Sequence, residues 1–235
     1  MRSTSSSSLV PVRSAAGAWV AGVDGCRNGW CVVLAGDELR SRVVATFAEV
    51  LALPEQPRVI AIDMPIGLPR VPGRAADALA RKLLPGRAST IFSPPARAAL
   101  DAGDYAATCA ANRATAPGAP AISIQAFNLL PKLRELDAAM TPTLQARVRE
   151  AHPELAFAEV AGRMLVNKKT RPGQRARRRL LESLGLVPPP VGGAALDDLF
   201  DAAILCWTAR RIVDGTARVL GGDRDERGLR MEVLT

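Results

Sequence analysis

The sequence is poor in histidine, cysteine and aromatic residues, and each shortage removes a class of site. A single histidine, His152, is too few for a zinc site built from two or three imidazoles. Only nine of the 235 residues are Phe, Trp or Tyr, so we expect no base-stacking platform. The four cysteines have no Cys-x-x-Cys spacing and lie among apolar residues, which predicts core side chains in a reducing cytoplasm: Cys26, Cys31, Cys109 and Cys206.

Long apolar runs are also missing. No stretch approaches the roughly 20 residues of a membrane-spanning helix, so we expect no membrane partner. The serine-rich residues 1–17 resemble neither such a helix nor a signal peptide. We expect them to be a disordered extension, because they offer too little apolar surface to offset the entropy of ordering. The remaining residues, 18–235, suit one α/β domain, since a second domain would be cramped.

Basic residues outnumber acidic residues by 31 to 23. The whole excess lies in residues 163–179, which contain eight basic residues and no acid: Arg163, Lys168, Lys169, Arg171, Arg175, Arg177, Arg178 and Arg179. Such a block predicts either a surface that contacts a polyanion or an ordinary solvated helix face.

One acidic residue follows a strongly apolar segment in the first third of the chain. The run Val59–Ile62 predicts a strand that is buried on both faces, and Asp63 follows it directly. Pro65 and Gly67 then end the strand and shape its exit. An acid fixed at the end of a buried strand is a candidate functional residue, and a loop-capping role is the alternative.

The elements before that strand predict the start of a mixed sheet. Residues 18–35 predict a β-hairpin with its turn at Asp24–Gly29, and Leu39–Thr46 predicts a third antiparallel strand. Phe47–Leu53 predicts a short helix that leads to the Asp63 strand. Because parallel pairing requires such a crossover, the Asp63 strand can pair in parallel with the first strand.

The middle of the chain predicts helices. Asp77 and Arg81 are four residues apart and are expected to pair on an exposed helix face. Residues from about 94 to 140 contain almost no strand signal and predict a helical insertion over the catalytic edge of the sheet. Gln125 and Lys132 lie in this insertion and are candidate substrate contacts, although such residues are commonly just solvated.

The last third predicts a final strand followed by helices. Arg147–His152 suits the strand, and Pro153 suits the first position of a helix, where its missing N–H costs nothing. Glu154 in that first turn complements the helix dipole, so it is explicable with or without a functional role. Arg175–Leu184 predicts a basic helix, and Leu196–Val213 predicts the strongest helix in the chain.

Asp198 and Asp201 lie three residues apart near the start of that strongest helix, so their side chains share one face. Packed carboxylates repel one another and lose hydration unless a positive charge lies between them. Together with Asp24 and Asp63 they predict a site for Mg²⁺ or Mn²⁺, because oxygen ligands without histidine favour these ions. Paired ions about 4 Å apart can activate water for phosphodiester cleavage.

Five segments, in order, resemble the motifs of the domain of unknown function 429 family, whose members are predicted ribonuclease-H-like nucleases. The similarity extends over about residues 19–213. It implies a ribonuclease-H-like mixed sheet of β-β-β-α-β-α-β-α order with a helical insertion. The segments are GVDGCRNGW (22–30), AIDMPIGLP (61–69), HPELAF (152–157), NKKTRPG (167–173) and DDLFDA (197–202).

The resemblance also implies roles for individual residues. The metal-binding acids of ribonuclease H and of Holliday-junction resolvases are matched by Asp24, Asp63, Asp198 and Asp201. Glu154 is implied to be an additional ligand or a positioning base. Lys168, Lys169 and Arg171 fall in the basic motif and are implied to contact nucleic-acid phosphates. The first helix offers only Glu49 where a ribonuclease H usually has its glutamate, so the acids are closer to the resolvase type and DNA versus RNA stays open.

Three functions follow from these observations, in this order of preference. The first is a metal-dependent nuclease. The second is a nucleotide-binding phosphotransferase of the actin and sugar-kinase kind, although 235 residues leave little room for its second lobe. The third is a nucleic-acid-binding module without catalytic activity.

Overall fold

The computed structural model describes residues 18–235, so the expectation for residues 1–17 lies outside the described part. The described chain is a mixed α/β structure with seven α-helices, and no helix in it is both long and apolar enough to cross a bilayer. Its elements are β1 Val20–Cys26, β2 Gly29–Ala35, β3 Leu39–Val44, α1 Phe47–Leu51, β4 Ile60–Ile62, α2 Ala75–Lys82, α3 Tyr105–Arg113, α4 Ile124–Ala139, β5 Val148–Glu150, α5 Pro153–Ala161, α6 Arg171–Leu184, α7 Leu196–Val213, β6 Val219–Arg224 and β7 Arg230–Leu234.

Five strands form the main sheet in the order β3-β2-β1-β4-β5. Strand β1 pairs antiparallel with β2 and parallel with β4, which confirms the predicted parallel pairing. Strand β5 extends the parallel part beside β4. The terminal strands β6 and β7 form a separate antiparallel hairpin, which reaches the main sheet through a bridge between Ala151 and Leu234.

The two faces of the sheet are covered by different helices, because alternate strand residues point to opposite sides. Val32 and Leu34 belong to a core with α1 and α4, whereas Cys31 and Val33 belong to a core with α5, α6 and α7. All four cysteines are buried and free, as predicted. Helices on both faces explain why β1, β2 and β4 are almost continuously apolar.

Helix α7 approaches β1 unusually closely. At Gly22 in β1, an added Cβ would lie 1.9 Å from the backbone oxygen of Ala202 in α7. Only glycine permits this approach, since any side chain would meet main-chain atoms that cannot rotate away. The contact sets α7 against the middle of the sheet, with Asp201 on the side of Asp24.

Three details differ from the sequence predictions. Helix α6 begins at Arg171, before the predicted start at Arg175. Strand β1 continues through Asp24 to Cys26, so Asp24 lies within a strand rather than in the hairpin turn. Asp77 is fully buried, and its carboxylate pairs with Arg74 instead of forming an exposed pair with Arg81. The predicted exposed pair is therefore wrong, because the partner of Asp77 is the residue that precedes α2, which helix periodicity does not indicate.

Candidate active site

Asp24 and Asp63 are brought together by the parallel pairing of β1 and β4. Asp63 immediately follows β4, and its backbone N–H donates to the carbonyl oxygen of Val23 at 2.9 Å. Both carboxyl groups therefore lie at the same edge of the sheet, and both residues are half-buried. Among the described residues, neither carboxylate accepts a hydrogen bond.

Asp201 from α7 completes a cluster of three carboxylates and is only 2% exposed. Burial, followed by the charges of Asp63 and Asp201, raises the pKa of Asp24 well above its ordinary value. Burial also raises the pKa of Asp63, and it raises the pKa of Asp201 to about 6. These shifts have the sign expected of like charges crowded into one poorly hydrated site.

Lys168 supplies the positive charge nearest to this cluster. Its Nζ donates to Oδ2 of Asp201, and the other oxygen of Asp201, Oδ1, is buried without a hydrogen-bond partner. Burial opposes the lysine charge, yet Asp201 and then Asp24 raise the pKa of Lys168 above its ordinary value. The loop that precedes α6 thus folds back over the acids.

Asp198 lies at the margin of the cluster. Its Oδ2 accepts from the backbone N–H of Ala195 at 3.0 Å, which caps the start of α7. Its charge raises the pKa of Asp24, although it ranks below burial, Asp63, Asp201 and Lys168. Asp201 therefore joins the buried cluster, whereas Asp198 also serves the helix terminus.

Glu154 is close to the cluster but is already paired. Its Oε1 accepts from Nη2 of Arg177 at 2.5 Å, and both side chains are buried. The Glu154 charge still contributes to raising the pKa of Asp63, although burial has a larger effect and both His152 and Lys168 act to lower this pKa. His152 precedes α5, and its Nε2 lies within hydrogen-bond distance, 3.1 Å, of the carbonyl oxygen of Thr90.

The basic block divides into paired and unpaired residues. Arg177 points inward, Lys168 meets Asp201, and Lys169 forms a 2.8 Å ion pair with Asp197. On the outer face of α6, Arg178 pairs with Glu182 at 3.0 Å. Within the described chain, four exposed arginines of the block form no ion pair: Arg163, Arg171, Arg175 and Arg179.

A cleft of about 530 Å³ adjoins the cluster at Lys168. Gln125, at the start of α4, lines the same cleft, so the structure brings these two predicted substrate contacts together. Lys132 does not line the cleft. Its Nζ donates to the carbonyl oxygen of Gly29 at 2.6 Å and lies 4.9 Å from the Trp30 ring, so it supports the β1–β2 hairpin.

A family model described as a protein of unknown function (DUF429) matches residues 22–226. The chain belongs to this family. No curated protein and no solved structure matches the chain. The DUF429 match includes all three clustered acids, Lys168 and the cleft, and the family description states no activity.

The DUF429 chain also contains a buried cluster that the sequence analysis missed. Arg74 donates to Oε2 of Glu150 at 2.8 Å and to Oδ1 of Asp77 at 3.0 Å. Glu150 in turn accepts from the backbone N–H of Ile66 at 2.7 Å, which fixes the turn after Asp63. In the sequence, only the apolar residues around Arg74 and its position just before α2 indicate that its side chain is buried.

The acids of the cluster suit a divalent ion in their chemistry. Carboxylate oxygens are the ligands that Mg²⁺ and Mn²⁺ prefer, and Oδ1 of Asp201 lacks a partner. As placed, no three His, Cys, Asp or Glu side chains within residues 18–235 form a group that could hold a metal ion. In this arrangement Lys168 provides the compensating charge, so a bound ion and the Lys168–Asp201 pair would compete for the same carboxylate.

Proposed function

We propose that this chain is a divalent-metal-dependent nuclease of the ribonuclease-H-like type. The observation that carries the proposal is that Asp24, Asp63 and Asp201 lie close enough to interact electrostatically, while Lys168 hydrogen-bonds to Asp201 alone. Three carboxylates that raise one another's pKa are poorly compensated by Lys168 alone. The order β1-β2-β3-α1-β4, followed after helices α2, α3 and α4 by β5 and α5, supports the ribonuclease-H-like part of the proposal.

The proposal gives each acidic residue a defined task. Asp24, Asp63 and Asp201 would hold Mg²⁺ or Mn²⁺, with Asp198 at the margin, and the resulting positive charge would keep the carboxylates ionised near neutral pH. The ion would activate water and stabilise the leaving oxygen of a phosphodiester. Glu154 would position the site through Arg177 and its proximity to Asp63, because its carboxylate is already engaged.

Nucleic acid is the partner that the charge distribution favours. The unpaired arginines of the basic block include Arg171 at the start of α6, which follows the loop that carries Lys168 and Lys169. We expect phosphates to meet these arginines first, because Lys168 and Lys169 are held by Asp201 and Asp197. The free, buried cysteines fit the reducing cytoplasm that the proposal assumes.

The proposal is tested by cleavage of labelled single-stranded and duplex DNA and RNA in Mn²⁺. We expect Asp63→Asn to reduce the rate roughly a hundredfold or more, because it removes a ligand of an ion that supplies several kcal/mol. Asp37→Asn is the matched control, since Asp37 is exposed in the turn between β2 and β3. Equal loss in both variants, or no cleavage of any substrate by the parent protein, would contradict the nuclease proposal.

Calorimetry separates the nuclease from the other functions. We expect the parent protein to bind Mn²⁺ without nucleotide. The Asp63→Asn and Asp201→Asn variants should not bind it. Mg²⁺-dependent binding of ATP, with no signal from free Mn²⁺, would instead favour a phosphotransferase, which recruits the ion through nucleotide phosphates. Nucleic-acid binding without cleavage or metal binding would favour the non-catalytic module.

A further inference from the structure

The 530 Å³ cleft has a composition that suits part of a nucleic-acid chain. Residues 89–95 line one part of it. Residues 120–123, together with Gln125, Ala126 and Leu129, line another, so the insertion contributes a wall. Two basic residues, Arg81 and Lys168, line it, and none of its described lining residues is acidic. Lys168 is paired with Asp201, whereas Arg81 hydrogen-bonds to Ile91 and Ser93 and forms no ion pair within residues 18–235. An anionic ligand therefore finds complementary charge chiefly at Arg81.

The cleft also offers apolar surface and an uncommitted amide. Phe92, Pro95 and Leu129 present apolar atoms that could cover the faces of a base. Gln125 is exposed at the start of α4, and its amide forms no hydrogen bond within residues 18–235. A glutamine amide both donates and accepts, so it can match the mixed polar edge of a nucleobase.

The size of the cleft decides between paired and unpaired nucleic acid. Pockets of about 300–1,000 Å³ enclose a single drug-sized ligand, and 530 Å³ lies within this range. A duplex does not fit, since the double helix is wider than its own major groove, which is about 12 Å across and already admits a whole α-helix. A base can enter only when it is unstacked from its neighbours, as in enzymes that act on flipped or single-stranded nucleotides.

From these observations we propose that the cleft binds one unpaired nucleotide of a single strand, with its phosphate toward Arg81 and its base beside Gln125. The inference rests on the proposed nuclease function for its biological meaning, because Lys168 joins the cleft to the three acids. The inference also limits the substrates of the proposed nuclease to single-stranded or locally unpaired nucleic acid.

The test measures binding of a fluorescein-labelled oligonucleotide by anisotropy in EDTA, so that cleavage cannot interfere. We expect the parent protein to bind the single strand more tightly than the same strand in a duplex. Gln125→Glu should weaken single-strand binding about tenfold, because it removes the amide donor and adds a negative charge near phosphate. The matched control is Asn128→Asp, the same chemical change on the exposed surface of α4 outside the cleft lining.

Each result has a defined meaning. Equal effects of Gln125→Glu and Asn128→Asp, or equal binding of single strand and duplex, would overturn the cleft assignment even if the protein cleaves nucleic acid. A mononucleotide that displaces the oligonucleotide at equal concentration would overturn the strand assignment and indicate a free nucleotide as the occupant. Single-strand binding that depends on Gln125, without cleavage in Mn²⁺, would support the cleft while contradicting the nuclease proposal.

Discussion

The protein contains two clusters of buried acids near the end of β4, and they differ in how they are compensated. In the Arg74 cluster, one guanidinium lies between Asp77 and Glu150, and Glu150 also accepts from a backbone N–H. In the carboxylate cluster of Asp24, Asp63 and Asp201, the single cation is a lysine that reaches only Asp201 by a hydrogen bond.

The two clusters also differ in solvent exposure, and the less compensated cluster is the more exposed one. The side chains of Arg74 and Asp77 are each 1% exposed, whereas Lys168 is 32% exposed and lines a cleft. A sealed cluster whose acids bond to an arginine holds the fold together. In the open cluster, Asp24 and Asp63 accept no hydrogen bond from the described residues, so the cluster retains capacity for a cation from solution. This contrast identifies the second cluster as the candidate site.

The largest expected effect follows from opening the sealed cluster. We expect Arg74→Met to lower the free energy of unfolding by roughly 3–5 kcal/mol, because it leaves two buried acids without their cation. Urea unfolding measures the change. The double variant Arg74→Met/Glu150→Gln should lose less than the single variant, and a loss below about 1 kcal/mol for Arg74→Met would show that the cluster is not sealed.

An intermediate effect is expected at the lysine of the open cluster. Without metal, Lys168→Met should cost roughly 1–3 kcal/mol of unfolding free energy, because Asp201 is 2% exposed and loses its partner. Saturating Mn²⁺ should recover much of this loss, since an ion at about a hundred times its Kd contributes about 2.7 kcal/mol.

The adjacent lysine gives a matched control. Lys169 is 73% exposed in its ion pair with Asp197, so Lys169→Met should change stability by no more than about 1 kcal/mol, with no recovery in Mn²⁺. Similar losses of unfolding free energy in the two lysine variants would contradict the distinction between the buried Lys168–Asp201 pair and the exposed Lys169–Asp197 pair.

The smallest effect is a pH dependence. The pKa of Asp24 is raised in the native state by burial and by Asp63 and Asp201, so the native protein binds more protons than the unfolded chain in the window above the ordinary aspartate pKa. Stability without metal therefore falls as pH rises through that window. Asp24→Asn removes this penalty, so it should melt at a higher temperature than the parent at pH 7 and lose its advantage toward pH 4.

Thermal melts in EDTA at several pH values measure this difference. Glu150, whose pKa burial raises to about 7 despite Arg74, titrates in both proteins and cancels in the comparison. Asp37→Asn is again the surface control. A variant that is no more stable than the parent at pH 7 would mean that Asp24 is adequately compensated.

Much of the fold could be predicted because it rests on local rules. Helix α7 begins and ends where its apolar pattern predicts, and α5 begins at Pro153, which occupies the first helical turn. The convergence of Asp24 and Asp63 follows from parallel pairing, which the short crossover helix made predictable. These features depend on residues close in sequence or on one pairing rule.

The unpredicted features depend on partners distant in sequence. Nothing near Lys168 indicates that it reaches Asp201, 33 residues later, or that Arg177 turns inward to Glu154. Glu150 lies 76 residues from Arg74. Charge patterns identify which residues carry charge, but tertiary packing decides which charges meet, so the basic block appeared uniform in the sequence and divides in the structure.

The close approach of α7 to β1 at Gly22 bears on the candidate site, because α7 carries Asp201 and β1 carries Asp24. There the main chain of β1 packs against the main chain of α7, a contact that rotamer changes cannot adjust. A methyl group at this position would push α7 away from β1 and increase the distance between the carboxylates of Asp24 and Asp201. Mg²⁺ requires ligand distances of about 2.0–2.1 Å, and Ca²⁺ accepts about 2.3–2.6 Å. In the proposed metal site, this one glycine would therefore affect which ion fits.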